Sequence, residues 1–166
     1  MLSRMEMPLV ARRAVVADAP AIARIYNEGI EDRIATFETA PRDEAEVRRW
    51  FDRPHPLVVV EEAGRVVAFA ASFPSSGRCS DAKNVDFSVY VAREARGRGA
   101  GRAAMIALVE AAREGGYNKL VSGVFPENTA SRSLLQRMGF REVGTHERHG
   151  KLDGAWRDVV LVERLL

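Results

Sequence analysis

Apolar and polar positions recur along this chain with two periods, and the changes of period mark its elements. Val10 to Val15 is β-rich and predicts a first strand. Asp18 then stands as an N-cap before a helix in which Ile22, Ile25, Tyr26 and Ile30 recur at helical spacing. A second helix follows Arg42, carries Val47, Trp50 and Phe51, and must end near Arg53 because Pro54 and Pro56 oppose its continuation. Leu57 to Glu61 and Val66 to Ser72 are strand-like runs around a turn signal at Ala63, Gly64 and Arg65, and Pro74 to Lys83 is a polar loop. Between Val85 and Val91 the alternation is strict, which puts Asp86, Ser88 and Tyr90 on one face. Ala103 to Arg113 is an amphipathic helix with Ala104, Leu108, Val109 and Ala112 inward, stopped by Gly115 and Gly116. Lys119 to Val124 is a strand, and Asn128 to Met138 a short helix with Leu134, Leu135 and Met138 inward and Gly139 as its C-cap. Phe140 to Arg148 and Trp156 to Leu165 read as two final strands joined by a turn containing Gly150 and Gly154. The order β-α-α-β-β-β-α-β-α-β-β predicts an α/β protein, a mixed sheet with helices packed on it. Residues 1–8 are expected to be an extension and 9–166 a single domain.

Composition narrows the classes of function. With 166 residues and 46% hydrophobic content, the chain can bury one continuous core. Its 25 basic and 23 acidic side chains leave a formal charge of +2, so bulk electrostatics give no reason to expect a nucleic-acid partner. Cys79 is the single cysteine, and no Cys/His cluster has metal-ligand spacing. His146 and His149 would point to opposite faces of an extended strand, so no metal is expected. Met1 to Leu9 has no apolar run like a signal peptide and no stretch is long enough to span a bilayer, so the expected location is the cytoplasm, away from membranes. Trp50, Phe51 and Trp156 are expected to serve in packing.

The most informative local signal is Arg96-Gly97-Arg98-Gly99-Ala100-Gly101, set between a strand and a helix. Glycines let the backbone turn its amides inward, the following helix adds unsatisfied N–H groups and a positive dipole end, and Arg96, Arg98 and Arg102 add charge. Such a segment suits a phosphate, or else it is a loop that merely caps the helix. It lacks the Lys-Ser/Thr of a Walker loop and the spacing of a dinucleotide fingerprint.

In that context the segment resembles the pyrophosphate loop of the GNAT acetyltransferases, Arg/Gln-x-x-Gly-x-Gly/Ala, at Arg96, Gly99 and Gly101. Further spaced matches resemble the branch of phosphinothricin, methionine sulfoximine and arsinothricin N-acetyltransferases: Ile25-Tyr26-Asn27, Ala35-Thr36-Phe37, Trp50-Phe51, Ser88-Val89-Tyr90-Val91, Glu127-Asn128-x-x-Ser131, Gly139-Phe140 and Gly154-x-Trp156-x-Asp158. The resemblance implies a GNAT fold: a mixed, mostly antiparallel sheet of six to seven strands, splayed after the fourth and flanked by about four helices. It implies acetyl-CoA as cosubstrate, transfer to the primary amine of a small amino-acid-like acceptor, and a homodimer. Backbone groups of Val89, Tyr90 and Val91 would pair with the pantetheine arm, Gly97 to Arg102 (Gly97, Arg98, Gly99, Ala100, Gly101, Arg102) together with Arg96 would hold the pyrophosphate, and Asn128, with Ser131 near it, would bond the arm or an ordered water beside it, cap its helix, or do both. Asp86 falls where the branch has a glutamate base and would act directly or through a water; otherwise it pairs with Lys83 or Arg78. Phe37, Phe73 and Arg78 would meet the acceptor. The chain departs from the branch at Leu135, where a tyrosine or histidine acid is usual, leaving water, Ser131 or Tyr90 as the proton donor. It also has Ser76 and Asp81 where a second arginine and a tyrosine are usual, and Lys151 one position away from a hairpin lysine. The alternatives are acetylation of a protein N-terminus or a polyamine, or a regulator that binds acetyl-CoA without turnover.

Overall fold

The computed structural model describes residues 7–75 and 83–166. Seven strands form one sheet in the order β1-β2-β3-β4-β5-β7-β6. They are β1 (Leu9–Arg13), β2 (Leu57–Glu62), β3 (Arg65–Pro74), β4 (Asn84–Val91), β5 (Lys119–Val124), β6 (Arg141–Leu152) and β7 (Ala155–Leu165). The helices are α1 (Ala19–Asp32), α2 (Glu44–Arg48, continued by a 3-10 turn over Arg49–Asp52), α3 (Ala100–Glu114) and α4 (Thr129–Arg137). Every neighbouring pair is antiparallel except β4 and β5. The fold is thus the mixed, mostly antiparallel α/β architecture expected. No helix among the described residues is long and apolar enough to cross a membrane.

Alternation distributes β3 and β4 between two layers. Phe69, Ala71 and Phe73 stand opposite Tyr90, Ser88 and Asp86 in the antiparallel register and so share a face with them. That face meets α1: the Tyr90 ring turns one edge so close to the helix that a Cβ on Gly29 would come within 2.6 Å of two ring carbons. The opposite face, with Val85 and Phe87, packs on α3 through Ala104, Met105, Leu108 and Ala112, all in the main core.

Several element ends differ from the sequence reading for identifiable reasons. Asp18 does not cap α1 through its side chain. Arg12 donates to both its carboxylate oxygens at 2.7 and 2.8 Å, and the Val15 N–H closes a local turn on it at 2.8 Å. Helix α3 begins at Ala100, inside the glycine segment, with Gly99 as its N-cap. Gly150 is not in the β6–β7 turn, which is made by Asp153 and Gly154, both at positive φ. It lies within β6, after an irregularity in register between His146 and Gly150 where Arg148 has a φ of 48°. That bulge overturns the expectation that the two histidines diverge: the Nδ1 atoms of His146 and His149 are 3.2 Å apart. No group of three or more metal-ligating side chains accompanies them among the described residues.

Candidate active site

Strands β4 and β5 pair for only three residues each, Asn84 to Asp86 against Lys119 to Val121. Beyond that they separate, although β4 runs on to Val91 and β5 to Val124. The Ser122 hydroxyl donates to the Phe87 carbonyl at 2.9 Å where the separation begins. The result is a cleft with Ser88, Val89 and Tyr90 on one wall, Ser122, Gly123 and Val124 on the other, and Asn128, Ser131 and Leu135 of the α4 region across its end. A stretch of strand without a neighbour offers backbone N–H and C=O groups in ladder geometry, which suits an extended, amide-containing ligand.

The glycine segment lies at the end of β4. Gly97 and Gly99 have φ values of 77° and 90°, and a Cβ at either would meet nothing within 4 Å, so backbone conformation and not crowding calls for glycine there. Gly101 has a negative φ and is needed for closeness: its Cβ would meet Leu134 at 3.2 Å and Val91 at 3.4 Å, where α3 crosses β4 and α4. Two of the three arginines are engaged. Arg96 pairs with Asp32 at 2.7 Å and donates Nε to the Val91 carbonyl, while Arg98 pairs with Glu62 and donates to the Glu94 carbonyl at 3.2 Å. Arg102 is exposed and has no ion pair among the described residues. The first turn of α3 carries the unsatisfied N–H groups and the positive dipole end of a helix start, with the exposed Arg102 on it.

A second cavity, of about 270 Å³, lies on the α1 and α2 side of the sheet. Its walls are Tyr26 of α1, Arg42, Trp50 and Arg53 around α2, and Phe69, Phe73 and Ser88 of the sheet. The aromatic walls support one another: Trp50 meets Phe73 edge-on at 5.2 Å between centroids and Tyr26 at 6.0 Å. Ser88 lines both cavities and so marks their junction. At drug-sized sites of roughly 300–1,000 Å³, most of a ligand is buried. This cavity is smaller than that range and suits a smaller molecule.

Asp86 is two residues before Ser88 on the same face and directly opposite Phe73. It is half-buried and has no ion pair among the described residues, so neither Lys83 nor any other described cation neutralises it. Burial alone pushes its carboxyl above the usual range. Tyr90 is packed between Tyr26 and Phe69, at 4.9 and 5.5 Å, and burial raises its phenol, which makes it a reluctant proton donor. Leu135 is 2% exposed and sits in the core. The Asn128 side chain accepts from the Ser131 N–H at 3.2 Å, capping α4 beside the first cleft.

The other expected site residues divide. Phe73 lines the second cavity. Phe37 does not; it packs edge-on against Phe125 at 4.9 Å and lies over Gly150 of β6. Arg78 lies outside the described residues, as do Ser76, Cys79 and Asp81. Trp156, expected to pack, is 56% exposed on β7 beneath the Lys151 ammonium, which is 4.8 Å from its ring centre. Sequence reasoning missed Arg42, Arg53 and Ser122 as lining residues and took Tyr26 and Trp50 for core alone. Helical spacing reports only that a side chain faces inward, and a cavity wall and a core share that signal.

Known proteins place this geometry. Residues 22–140 match the acetyltransferase (GNAT) family. An L-methionine sulfoximine/L-methionine sulfone acetyltransferase of Pseudomonas paraeruginosa is 33% identical over 160 residues, 92% of this chain and 91% of the relative. The crystal structure of a phosphinothricin acetyltransferase from Sinorhizobium meliloti in complex with acetyl-CoA superposes with a TM-score of 0.88 at 30% identity, covering 96% of this chain and 89% of that one. A ribosomal-protein-alanine N-acetyltransferase from Brucella melitensis superposes with a TM-score of 0.89 at 33% identity, covering 95% and 99%. With a splayed sheet, a glycine loop opening a helix and a family match across most of its length, the chain belongs to the GNAT acetyltransferases and is an acetyl-CoA-dependent N-acetyltransferase.

Proposed function

We propose that this enzyme acetylates the primary amine of a small amino-acid-like acceptor of the phosphinothricin, methionine sulfoximine or arsinothricin type, by direct attack within a ternary complex. The observation that carries this reading is the meeting of two cavities at Ser88, with Asp86 two residues away on the same face. The splayed cleft accepts the pantetheine arm along Val89 to Val91, and the amides from Gly97 to Arg102 hold the pyrophosphate. Because Arg96 and Arg98 are engaged by Asp32 and Glu62, the phosphate charge is met by backbone dipoles and Arg102.

The acceptor amine arrives as an ammonium and must lose a proton to attack. A free aspartate has a pKa of about 3.9 against about 10.4 for an alkyl ammonium, so direct transfer is uphill. Burial narrows the gap by raising Asp86, and a water between amine and carboxylate relays the proton. Backbone N–H groups around Val89 to Val91 stabilise the oxyanion of the tetrahedral intermediate, and coenzyme A leaves as a thiolate. With Leu135 apolar and Tyr90 packed, Ser131 or water protonates it.

We infer a homodimer as well. Strand β6 is an edge strand exposed along most of its length, and Val143 on it and Trp156 on the adjoining β7 are 47% and 56% exposed. Light scattering should give twice 18.4 kDa, and a monomer at that mass would remove the inference.

A second reading, acetylation of a protein N-terminus, draws on the Brucella relative. The small aromatic cavity favours the small molecule. Coenzyme A release measured with phosphinothricin, methionine sulfoximine, arsinothricin, ordinary amino acids, polyamines and an alanine-initiated peptide separates these readings. Release with the peptide alone would overturn the proposal, and cofactor binding without release for any acceptor would indicate a regulator.

A further inference from the structure

The second cavity holds two guanidinium groups in different circumstances. Arg42 is part of the wall. Its Nη2 is 2.8 Å from Glu38, its Nη1 is 3.6 Å from Glu46, and its guanidinium carbon is 6.0 Å from the centre of the Tyr26 ring. Its backbone is clamped from α1, because the Asn27 amide accepts from its N–H at 2.8 Å and donates to its carbonyl at 2.9 Å. Two carboxylates balance its charge before any ligand arrives.

Arg53 lines the same cavity and has no ion pair among the described residues. Its backbone is extended, at φ −107° and ψ 150°, the conformation that a following proline favours, and Pro54 follows. Its N–H is tied to the Trp50 carbonyl at 3.4 Å, so the side chain starts from a defined point at the cavity's aromatic wall. Its charge is felt locally: burial, and after it the charge of Arg53, hold the His55 imidazole below its usual pKa. A guanidinium without an ion pair among the described residues, lining a cavity with aromatic walls, is suited to an oxyanion, which it can grip with two parallel hydrogen bonds.

We propose that Arg53 is the specificity-determining residue that binds the anionic group of the acceptor, a carboxylate or phosphinate, while the rings of Tyr26, Trp50, Phe69 and Phe73 cover its apolar body and the amine lies toward Ser88. This rests on the reading of the second cavity as the acceptor site. It assigns anion recognition to the end of the α2 region in a chain whose loop before β4 carries a single arginine.

The test compares wild type with Arg53→Met and Arg53→Lys, using phosphinothricin, methionine sulfoximine and methionine sulfoximine carboxamide as acceptors. In Arg53→Met, KM for the acids should rise on the order of 10- to 100-fold, the factor that charged hydrogen bonds carry, with kcat nearly unchanged and the carboxamide unaffected. Arg53→Lys should fall between. A rise for both acids identifies the α-carboxylate as the bound group, whereas a rise for phosphinothricin alone identifies the phosphinate. An equal loss for acid and carboxamide, a fall in kcat alone, or no change would overturn the proposal. If wild type turns over no acceptor, calorimetry with N-acetylmethionine and its carboxamide on the protein loaded with coenzyme A decides independently. Preference for the acid that vanishes in Arg53→Met sustains the anion site although the proposed acceptors have failed, and absence of preference refutes it.

Discussion

Replacing Asp86 with asparagine should slow the enzyme and stabilise it at once. The change keeps the shape and removes the charge of a half-buried carboxylate that no described cation neutralises. In the folded chain, burial raises this carboxyl above its ordinary 3.8. Between pH 3.8 and the folded value the native state therefore binds more protons than the unfolded state, and stability falls as pH rises through that window. At neutral pH the native protein carries the desolvation of the ionised group, which asparagine abolishes. The variant should thus gain in Tm relative to wild type at pH 7, and the gain should shrink as pH drops through the window. Removal of a general base costs typically 10²- to 10⁴-fold, which corresponds to about 2.7–5.4 kcal/mol of barrier. Paired assays suffice: coenzyme A release for kcat, and thermal unfolding at pH 4 and pH 7, with coenzyme A affinity as the control for an intact cleft. An unchanged kcat would refute Asp86 as the base. A variant that loses relative stability between pH 4 and pH 7 would refute the argument from burial.

Gly29→Ala would place a methyl 2.6 Å from the Tyr90 ring carbons, and overpacking of this kind costs about 1–3 kcal/mol; denaturant unfolding should show it, and an unaltered midpoint would contradict the packing described. Asn128→Ala removes the cap on the Ser131 N–H and should cost about 1 kcal/mol, together with a measurable loss of coenzyme A affinity; a loss of stability with unchanged affinity would confine Asn128 to capping. The His55 imidazole should titrate below 6.5 by NMR because burial and the charge of Arg53 both disfavour its protonation, so stability falls as pH drops from about 6.5 through the folded value. In Arg53→Met the His55 midpoint should move upward, and one that stays put would remove the electrostatic link between them.

The fold was legible where one physical signal was strong. The alternation in Val85 to Val91 assigned β4 and both its faces, and the inward stripe of Ala104, Leu108, Val109 and Ala112 is buried in α3 as expected. The glycine segment was legible because positive φ at Gly97 and Gly99 admits few other residues. What escaped reading depended on partners distant in sequence. Asp18 satisfies the formal pattern of an N-cap, but Arg12, itself paired with Glu61 of β2, takes its oxygens. Arg96 and Arg98 read as phosphate ligands from their place in the glycine segment, and only the fold shows that Asp32 and Glu62 stand beside them. The proposed acceptor cavity is assembled from the first helix, the region around the second and two strands, and no local pattern distinguishes Arg53, which has no ion pair among the described residues, from Arg42, which has two.

The parting of β4 from β5 has a further meaning for how the chain survives at high concentration. Unpaired strand is ordinarily a hazard, because a foreign chain can lie alongside it and begin an aggregate. Here the unpaired stretch is enclosed: Ser122 to Val124 form the opposite wall and Asn128, Ser131 and Leu135 stand across the end. A ribbon with bulky side chains on both faces needs neighbours spaced about 4.7–4.9 Å apart and room above and below, whereas a slender thread needs only the slot. The walls stand where a neighbouring strand would have to lie, and they leave a narrow molecule more room along the reactive edge than another polypeptide.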